Sequence, residues 1–153
     1  MKFLYCTLVL ALTAVAGYGQ KLMIGEKVPD LRVEEWYENR IPETAGRPML
    51  LDFFHSANGQ CVRSLPKTAE LARKYAGKLN VIVLAREGLD KLSPHLEGKG
   101  YLLYAGNDES GKTFGAYGVR FVPFAVLTDA RGRLVWTGNL TALTEETLQK
   151  AFK

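Results

Sequence analysis

The sequence lacks several features that would narrow its function at once. It contains no internal repeat, no low-complexity stretch and no long run of lysine and arginine. Its 20 basic and 16 acidic residues are interleaved, so the net charge of +4 does not indicate a nucleic-acid-binding patch. With 47% hydrophobic and 24% charged residues, the 153-residue chain is typical of a single packed domain. Neither disorder nor nucleic-acid binding is expected.

Residues that could bind a metal are also scarce. The two histidines, His55 and His95, are isolated, with no cysteine or carboxylate at the spacing of a metal site. The sequence therefore predicts no metal and no cofactor.

Only one long hydrophobic run is present, and it lies at the N-terminus. Met1 and Lys2 precede an uncharged run from Phe3 to Ala16, and Gly17-Tyr18-Gly19 then offers small residues for signal peptidase. The pattern predicts a signal peptide over residues 1–19 and an exported protein, periplasmic or secreted. The alternative is an uncleaved membrane anchor, although the run is near the lower limit of about 17 residues for a membrane span.

Cysteine is scarce in the sequence. The chain has Cys6 and Cys61, and cleavage of the signal would remove Cys6. A mature chain with one thiol cannot form an internal disulfide, so Cys61 is either buried and inert or reactive toward another molecule.

Hydrophobic periodicity predicts a mixed α/β sheet with helices on both faces. Period-two or continuous apolar runs indicate strands, the 3.6-residue period indicates helices, and turn residues separate them. The predicted strands are 49–54, 79–85, 101–105, 121–128 and 133–137, the last two forming a hairpin. The predicted helices are 61–76, a short one around 89–96, 112–117, and 144–152 with Thr144 as N-cap.

Three segments together resemble the thioredoxin superfamily, in particular its exported TlpA-like and peroxiredoxin-like branches. Leu50-Leu51-Asp52-Phe53-Phe54 looks like the strand entering the active site, and Asn58-Gly59-Gln60-Cys61 followed by Pro66 matches the Cys-x-x-Cys turn and helix proline. The segment from Gly118 to Leu127 looks like the one that holds the family's cis-proline. The resemblance covers Ile24 to Lys153 and implies a three-layer thioredoxin-like domain over residues 20–153.

The motif departs from the family at its first cysteine, which is Asn58 here. A dithiol oxidoreductase uses the first thiolate to attack a disulfide and the second thiol to release the product. Asn58 cannot do the first step, so the ordinary cycle cannot close within one molecule. As an excellent N-cap residue, Asn58 is expected to cap the helix. The alternative is that it lines a pocket and bonds a ligand or a Cys61 thiolate.

Two interpretations of Cys61 stay open. As the family's second cysteine it would be buried and act as a small apolar residue. The helix N-terminus could instead lower its pKa and make it reactive. Asp52 matches the family's buried aspartate, whose raised pKa would let it serve as a base for Cys61; a strand-end aspartate that reaches solvent is the alternative.

The resemblance also implies a substrate-binding role for the segment around Pro123. Pro123 is expected to be cis, with Val122 presenting its backbone to an extended peptide, in the manner of an added strand. Arg120 lies close by in sequence and could stabilise a thiolate.

Three functions follow from these residues. The first is a monothiol redox protein that uses Cys61 and Asp52 on protein thiols or disulfides. The second is a redox-inactive module that binds an extended peptide at Asn58 and Pro123. The third is a peroxide-reducing Cys61 resolved by an external thiol. Membrane contact is expected only if the signal is retained.

Overall fold

Six strands form one mixed sheet in the order β1-β4-β3-β2-β5-β6 in the computed structural model, which describes residues 21–153. The predicted signal peptide lies outside the described residues. The strands are β1 Glu35–Trp36, β2 Met49–Phe54, β3 Asn80–Ala85, β4 Tyr104–Asn107, β5 Phe124–Thr128 and β6 Leu134–Gly138. The helices are α1 Gly59–Lys74, α2 Leu89–Leu92, α3 Lys112–Ala116 and α4 Glu145–Gln149.

The strand that carries Asp52 lies at the centre of the sheet. β2 pairs in parallel with β3 and antiparallel with β5, and every residue of β2 is buried. α1 makes the crossover from β2 to β3, as parallel pairing requires. The hairpin of β5 and β6 then extends the sheet on the other side of β2.

Helices and an extended segment cover the two faces of the sheet, which confirms the predicted fold class. Leu50 and Phe54 of β2 belong to the same buried cluster as Leu65 of α1. On the opposite face, Phe53 meets Phe114 of α3 edge-on at 4.8 Å between ring centroids. Alternate residues of β2 thus supply both cores, because side chains alternate across a strand.

Two predicted strands begin three residues later than the sequence suggests. The strand predicted at 101–105 begins at Tyr104, since the Arg40 guanidinium binds the carbonyl oxygens of residues 101–103 at 3.2–3.4 Å. The strand predicted at 121–128 begins at Phe124. Pro123 has no N–H to offer a ladder, and the Val122 carbonyl accepts a hydrogen bond from Asn58.

The ends of the helices follow the capping residues. α1 begins two residues earlier than the predicted helix 61–76, directly after its N-cap Asn58. The closing helix is capped by Thr144, as predicted, and continues from α4 into a 3₁₀ turn over Lys150–Phe152. None of the helices within residues 21–153 is long and apolar enough to cross a bilayer.

Candidate functional site

Two separate segments meet where β2 ends and α1 begins. The first is the loop from His55 to Asn58, which leads into the helix. The second is the Val122–Pro123 pair before β5, whose peptide bond is cis. The antiparallel pairing of β2 with β5 brings these segments together, with Phe53 opposite Phe124. All six residues predicted for the site lie on these two segments or their flanking elements.

Asn58 joins the two segments through both ends of its side-chain amide. Its Oδ1 accepts hydrogen bonds from the backbone N–H groups of Gln60 at 2.9 Å and Cys61 at 3.1 Å, which is the predicted N-cap. Its Nδ2 donates to the Val122 carbonyl oxygen at 3.1 Å. Asn58 therefore both caps α1 and ties the start of this helix to the Val122–Pro123 segment.

Cys61 is covered: 2% of its surface is exposed. Burial raises the pKa of its thiol, and the charges of Asp52 and Glu87 add to this, while a backbone hydrogen bond from His55 opposes it. The expectation that this pKa is lowered is wrong, because desolvation of the thiolate is the largest effect on it and raises it. The thiol is protonated at neutral pH in the resting structure.

Asp52 is buried and does not reach solvent, so the alternative of an exposed strand-end aspartate is wrong. Its side chain is 2% exposed, and burial raises the pKa of the carboxyl to about 7. Thr68 partly opposes this rise, because its Oγ1 donates to Asp52 Oδ2 at 3.0 Å. Near neutral pH this carboxyl can both hold and release a proton beside a buried thiol.

Thr68 is a site residue that sequence reasoning missed. It is fully buried, and its hydroxyl also lies 3.2 Å from the carbonyl oxygen of Ser64. When Asp52 is protonated, the hydroxyl can accept from the carboxyl and donate to that carbonyl. Thr68 therefore suits both protonation states of Asp52. Its position seven residues after Cys61, on the same helix face, was the available signal.

Glu87 is the second residue that sequence reasoning missed. Its carboxylate accepts the backbone N–H of Ser56 at 2.6 Å and the Ser56 hydroxyl at 2.8 Å. His55 Nδ1 lies 3.8 Å from the same carboxylate but accepts the N–H of Ala57 at 3.1 Å. Glu87 fixes the loop that leads to Asn58.

Arg120 does not lie among the groups that shift the pKa of Cys61. It lines a cavity of about 260 Å³ beside Phe121 and Val122. Pro123 lines a second cavity of about 330 Å³ on the other side, with Arg63 and Lys67. Within residues 21–153, no group of three or more His, Cys, Asp or Glu is placed to hold a metal.

Removing the Asn58 side chain should open the site. Asn58→Ala loses the helix cap and the hydrogen bond to Val122, each worth about 1 kcal/mol. We expect the free energy of unfolding in urea to fall by about 2 kcal/mol and native Cys61 to be alkylated by iodoacetamide about tenfold faster. Thr144→Ala, which removes the cap of α4 away from the site, should lower stability without this gain in alkylation. Equal gains in both variants would contradict a guarding role for Asn58.

Known proteins of similar structure share this architecture. No family model and no curated protein matches the sequence. A Chlorobium tepidum protein assigned as the thiol:disulfide interchange protein DsbE has a TM-score of 0.75 at 22% identity, over 86% of this chain and 99% of that one. The exposed lipoprotein thioredoxin Etrx1 of Streptococcus pneumoniae strain TIGR4 has a TM-score of 0.59 at 28% identity, over 71% of this chain and 87% of that one.

A third structure extends the likeness. A thiol-disulfide isomerase from Corynebacterium glutamicum has a TM-score of 0.64 at 17% identity, over 80% of this chain and 91% of that one. The chain therefore has the thioredoxin fold, and the resemblance to the thioredoxin superfamily is confirmed at the level of fold.

Proposed function

We propose that this thioredoxin-fold protein is an exported thiol-disulfide redox protein that acts through one thiol, Cys61, with Asp52 as its base. The observation that carries this proposal is the buried Asp52 carboxyl, which is near enough for its charge to act on the Cys61 thiol and whose pKa burial raises to about 7. A buried carboxylate destabilises a fold, and an apolar residue would suit the core better. The thiol-disulfide proteins that share the fold support the same chemistry.

The proposed reaction is a single thiol-disulfide exchange. Asp52 takes the proton of Cys61, and the thiolate attacks one sulfur of a partner disulfide. A new disulfide forms between Cys61 and that sulfur, while the other sulfur leaves as a thiolate. An external thiolate then attacks the partner's sulfur in the mixed disulfide and forms a disulfide with it. Cys61 leaves as a thiolate, and Asp52 returns its proton. Because Cys61 is buried at rest, the Asn58 contact has to open first.

Export rests on the sequence pattern of residues 1–19. Two of the similar structures fit it, since one is assigned as DsbE and one is an exposed lipoprotein thioredoxin. An exported site would meet disulfides, which persist in oxidising compartments.

The pH dependence of Cys61 reactivity tests the redox proposal. We expect the folded protein to form a mixed disulfide with 5,5′-dithiobis(2-nitrobenzoate), with a rate that rises through about pH 7 as Asp52 becomes able to accept a proton. With each reaction rate compared with the unfolding rate of the same protein, Asp52→Asn should lose that rise and react at least about tenfold more slowly at neutral pH. Mass spectrometry of the adduct locates it, and Cys61→Ser is the blank.

A redox-inactive peptide-binding module is the second candidate. It is favoured by the 2% exposure of Cys61 and by the raised pKa of its thiol. A thiol that reacts, in the wild type and in Asp52→Asn alike, only at each protein's own rate of global unfolding would establish this function in place of the first. For the peroxidase hypothesis, no cation within residues 21–153 is among the groups that shift the Cys61 pKa, and the backbone hydrogen bond from His55 that lowers this pKa is outweighed by burial.

A further inference from the structure

Two cavities flank the hydrogen bond between Asn58 and Val122. Val122 lines the smaller cavity and Pro123 lines the larger one, so the two cavities adjoin a single dipeptide. A chain laid across this dipeptide in an extended conformation would project its side chains toward both cavities, because successive side chains of a strand point in opposite directions.

The walls of both cavities are basic. The larger is lined by Arg63 and Lys67, the smaller by Arg86 and Arg120, and we call these four residues the basic rim. No aspartate or glutamate of the described residues 21–153 lines either cavity, although the whole chain has 16 acidic residues against 20 basic ones. The excess of basic over acidic residues around these two cavities is therefore a local feature of the surface and does not follow from the overall composition.

The charges of the basic rim are available to a partner. All four side chains are exposed, and the ion pairs found within residues 21–153 involve other cations. Lys67 donates to the Leu140 carbonyl at 3.3 Å, which holds its ammonium group at the rim without neutralising it. Unneutralised like charges around one groove favour an anionic partner, and they act over about 8 Å at physiological salt.

An exposed aromatic ring adds an apolar contact to the same surface. Phe121 is 72% exposed and lines the smaller cavity beside Arg120. Its ring stands edge-on against Phe124 at 6.3 Å between centroids, so it is supported from below. Supported aromatic side chains of this kind are typical anchors of protein interfaces. A free inorganic anion would make no apolar contact with the Phe121 ring.

We propose that the basic rim and Phe121 form a groove for an extended protein segment that carries acidic side chains on both sides of its central residue. The central residue lies across Val122 and Pro123, and a neighbouring apolar side chain packs on Phe121. This deepens the redox function proposed above, because it gives the class of protein whose disulfide would reach Cys61. The segment displaces Asn58 Nδ2 from the Val122 carbonyl as it binds.

Binding of thiol-free peptides tests the groove without involving Cys61 chemistry. The probes are three fluorescein-labelled ten-residue peptides with a central Ser-Leu pair, flanked by glutamate, glutamine or lysine, measured by fluorescence anisotropy with the wild-type protein. We expect the glutamate peptide to bind about tenfold tighter than the glutamine peptide, and the lysine peptide not at all. The affinity of the glutamate peptide should fall about tenfold between about 20 and 200 mM salt.

Matched charge reversals locate the effect. The double variant Arg63→Glu/Arg120→Glu reverses one positive charge in each cavity. It should weaken binding of the glutamate peptide at least about tenfold. Lys27→Glu with Arg131→Glu makes the same change in net charge at the large cavity of about 650 Å³ at the other end of β2, and should change affinity less than about twofold. Phe121→Ala should cost about tenfold, while Ile41→Ala, which removes a side chain of similar exposure, should cost nothing.

Several outcomes would overturn the proposal. Equal binding of the glutamate and glutamine peptides would contradict an acidic partner. Equal losses of affinity from the two charge-reversal pairs would contradict it as well. Tighter binding of a ten-residue oligothymidylate than of the glutamate peptide would assign the surface to nucleic acid. If the glutamate peptide binds but Cys61 is unreactive, the proposed groove stands and the proposed redox function fails. If disulfide exchange occurs without peptide binding, the redox function stands and the groove fails.

Discussion

Asn58→Cys is expected to convert the chain into a working dithiol oxidoreductase. The wild-type side chain already places an atom 3.1 Å from the backbone nitrogen of Cys61, at the N-terminus of α1. A thiol at this position would have its pKa lowered by the helix N-terminus, and Cys61 would lie three residues further on as the resolving thiol. Reduction of insulin by dithiothreitol, followed by turbidity, should be accelerated at least about 100-fold over wild type.

Two control variants separate the thiol from other effects of the substitution. Asn58→Ser keeps an N-cap hydroxyl but adds no thiol, so it should remain inactive. Combining Asn58→Cys with Cys61→Ser leaves the new thiol without a resolving partner, and should trap mixed disulfides without turnover. An Asn58→Cys variant that folds, forms the internal disulfide and still reduces no insulin would show that the surrounding groove has diverged beyond the motif.

The sequence predicted the parts of the fold whose signal is local. β2 is a continuous apolar run and α1 has a 3.6-residue period, so both were found within two residues at each end. β1 was missed because Glu35–Trp36 has neither length nor alternation. It exists through hydrogen bonds to Asn107, whose Oδ1 accepts the N–H of Glu35 at 2.9 Å. That contact spans 72 residues and leaves no trace in the local pattern.

The distinction between local sequence patterns and long-range contacts also applies to the site. The N-cap role of Asn58 follows from local preference and was predicted, whereas its donation to Val122 joins residues 64 apart and was not. The state of Cys61 could not be settled from sequence, because the helix dipole lowers the thiol pKa and burial raises it. The packing of Cys61 with Leu50, Phe54 and Leu65 decides which effect is larger. Long-range packing is the information that the sequence pattern does not carry.

Asp52→Asn is expected to stabilise the protein increasingly as pH rises. The folded-state pKa of Asp52 is about 7, well above the value of about 3.9 in an unfolded chain. Below about pH 4 both states are protonated and the carboxyl costs nothing. Between about pH 4 and 7 only the unfolded state is ionised, so the free energy of unfolding of the wild type falls by about 1.4 kcal/mol per pH unit, and above pH 7 it levels off.

The total pH-dependent loss in the wild type is therefore about 4 kcal/mol, and variants without the carboxyl should not show it. Urea unfolding of Asp52→Asn at about pH 4 and pH 8 should give a difference from wild type that grows by that amount. Asp52→Leu lacks the Thr68 hydrogen bond and has another shape, so its absolute stability will differ. Its dependence on pH should nevertheless match that of Asp52→Asn, because neither side chain titrates.

A wild type whose stability followed the same pH dependence as both variants would show that Asp52 is not a buried, titrating group. It would also remove the base from the proposed reaction. If the expected difference is found, the chain keeps at position 52 a residue that costs it several kcal/mol above neutral pH, where asparagine would fit the same space. Structural stability does not account for such a residue, whereas proton transfer with Cys61 does. The stability measurement therefore bears on function even before any substrate is known.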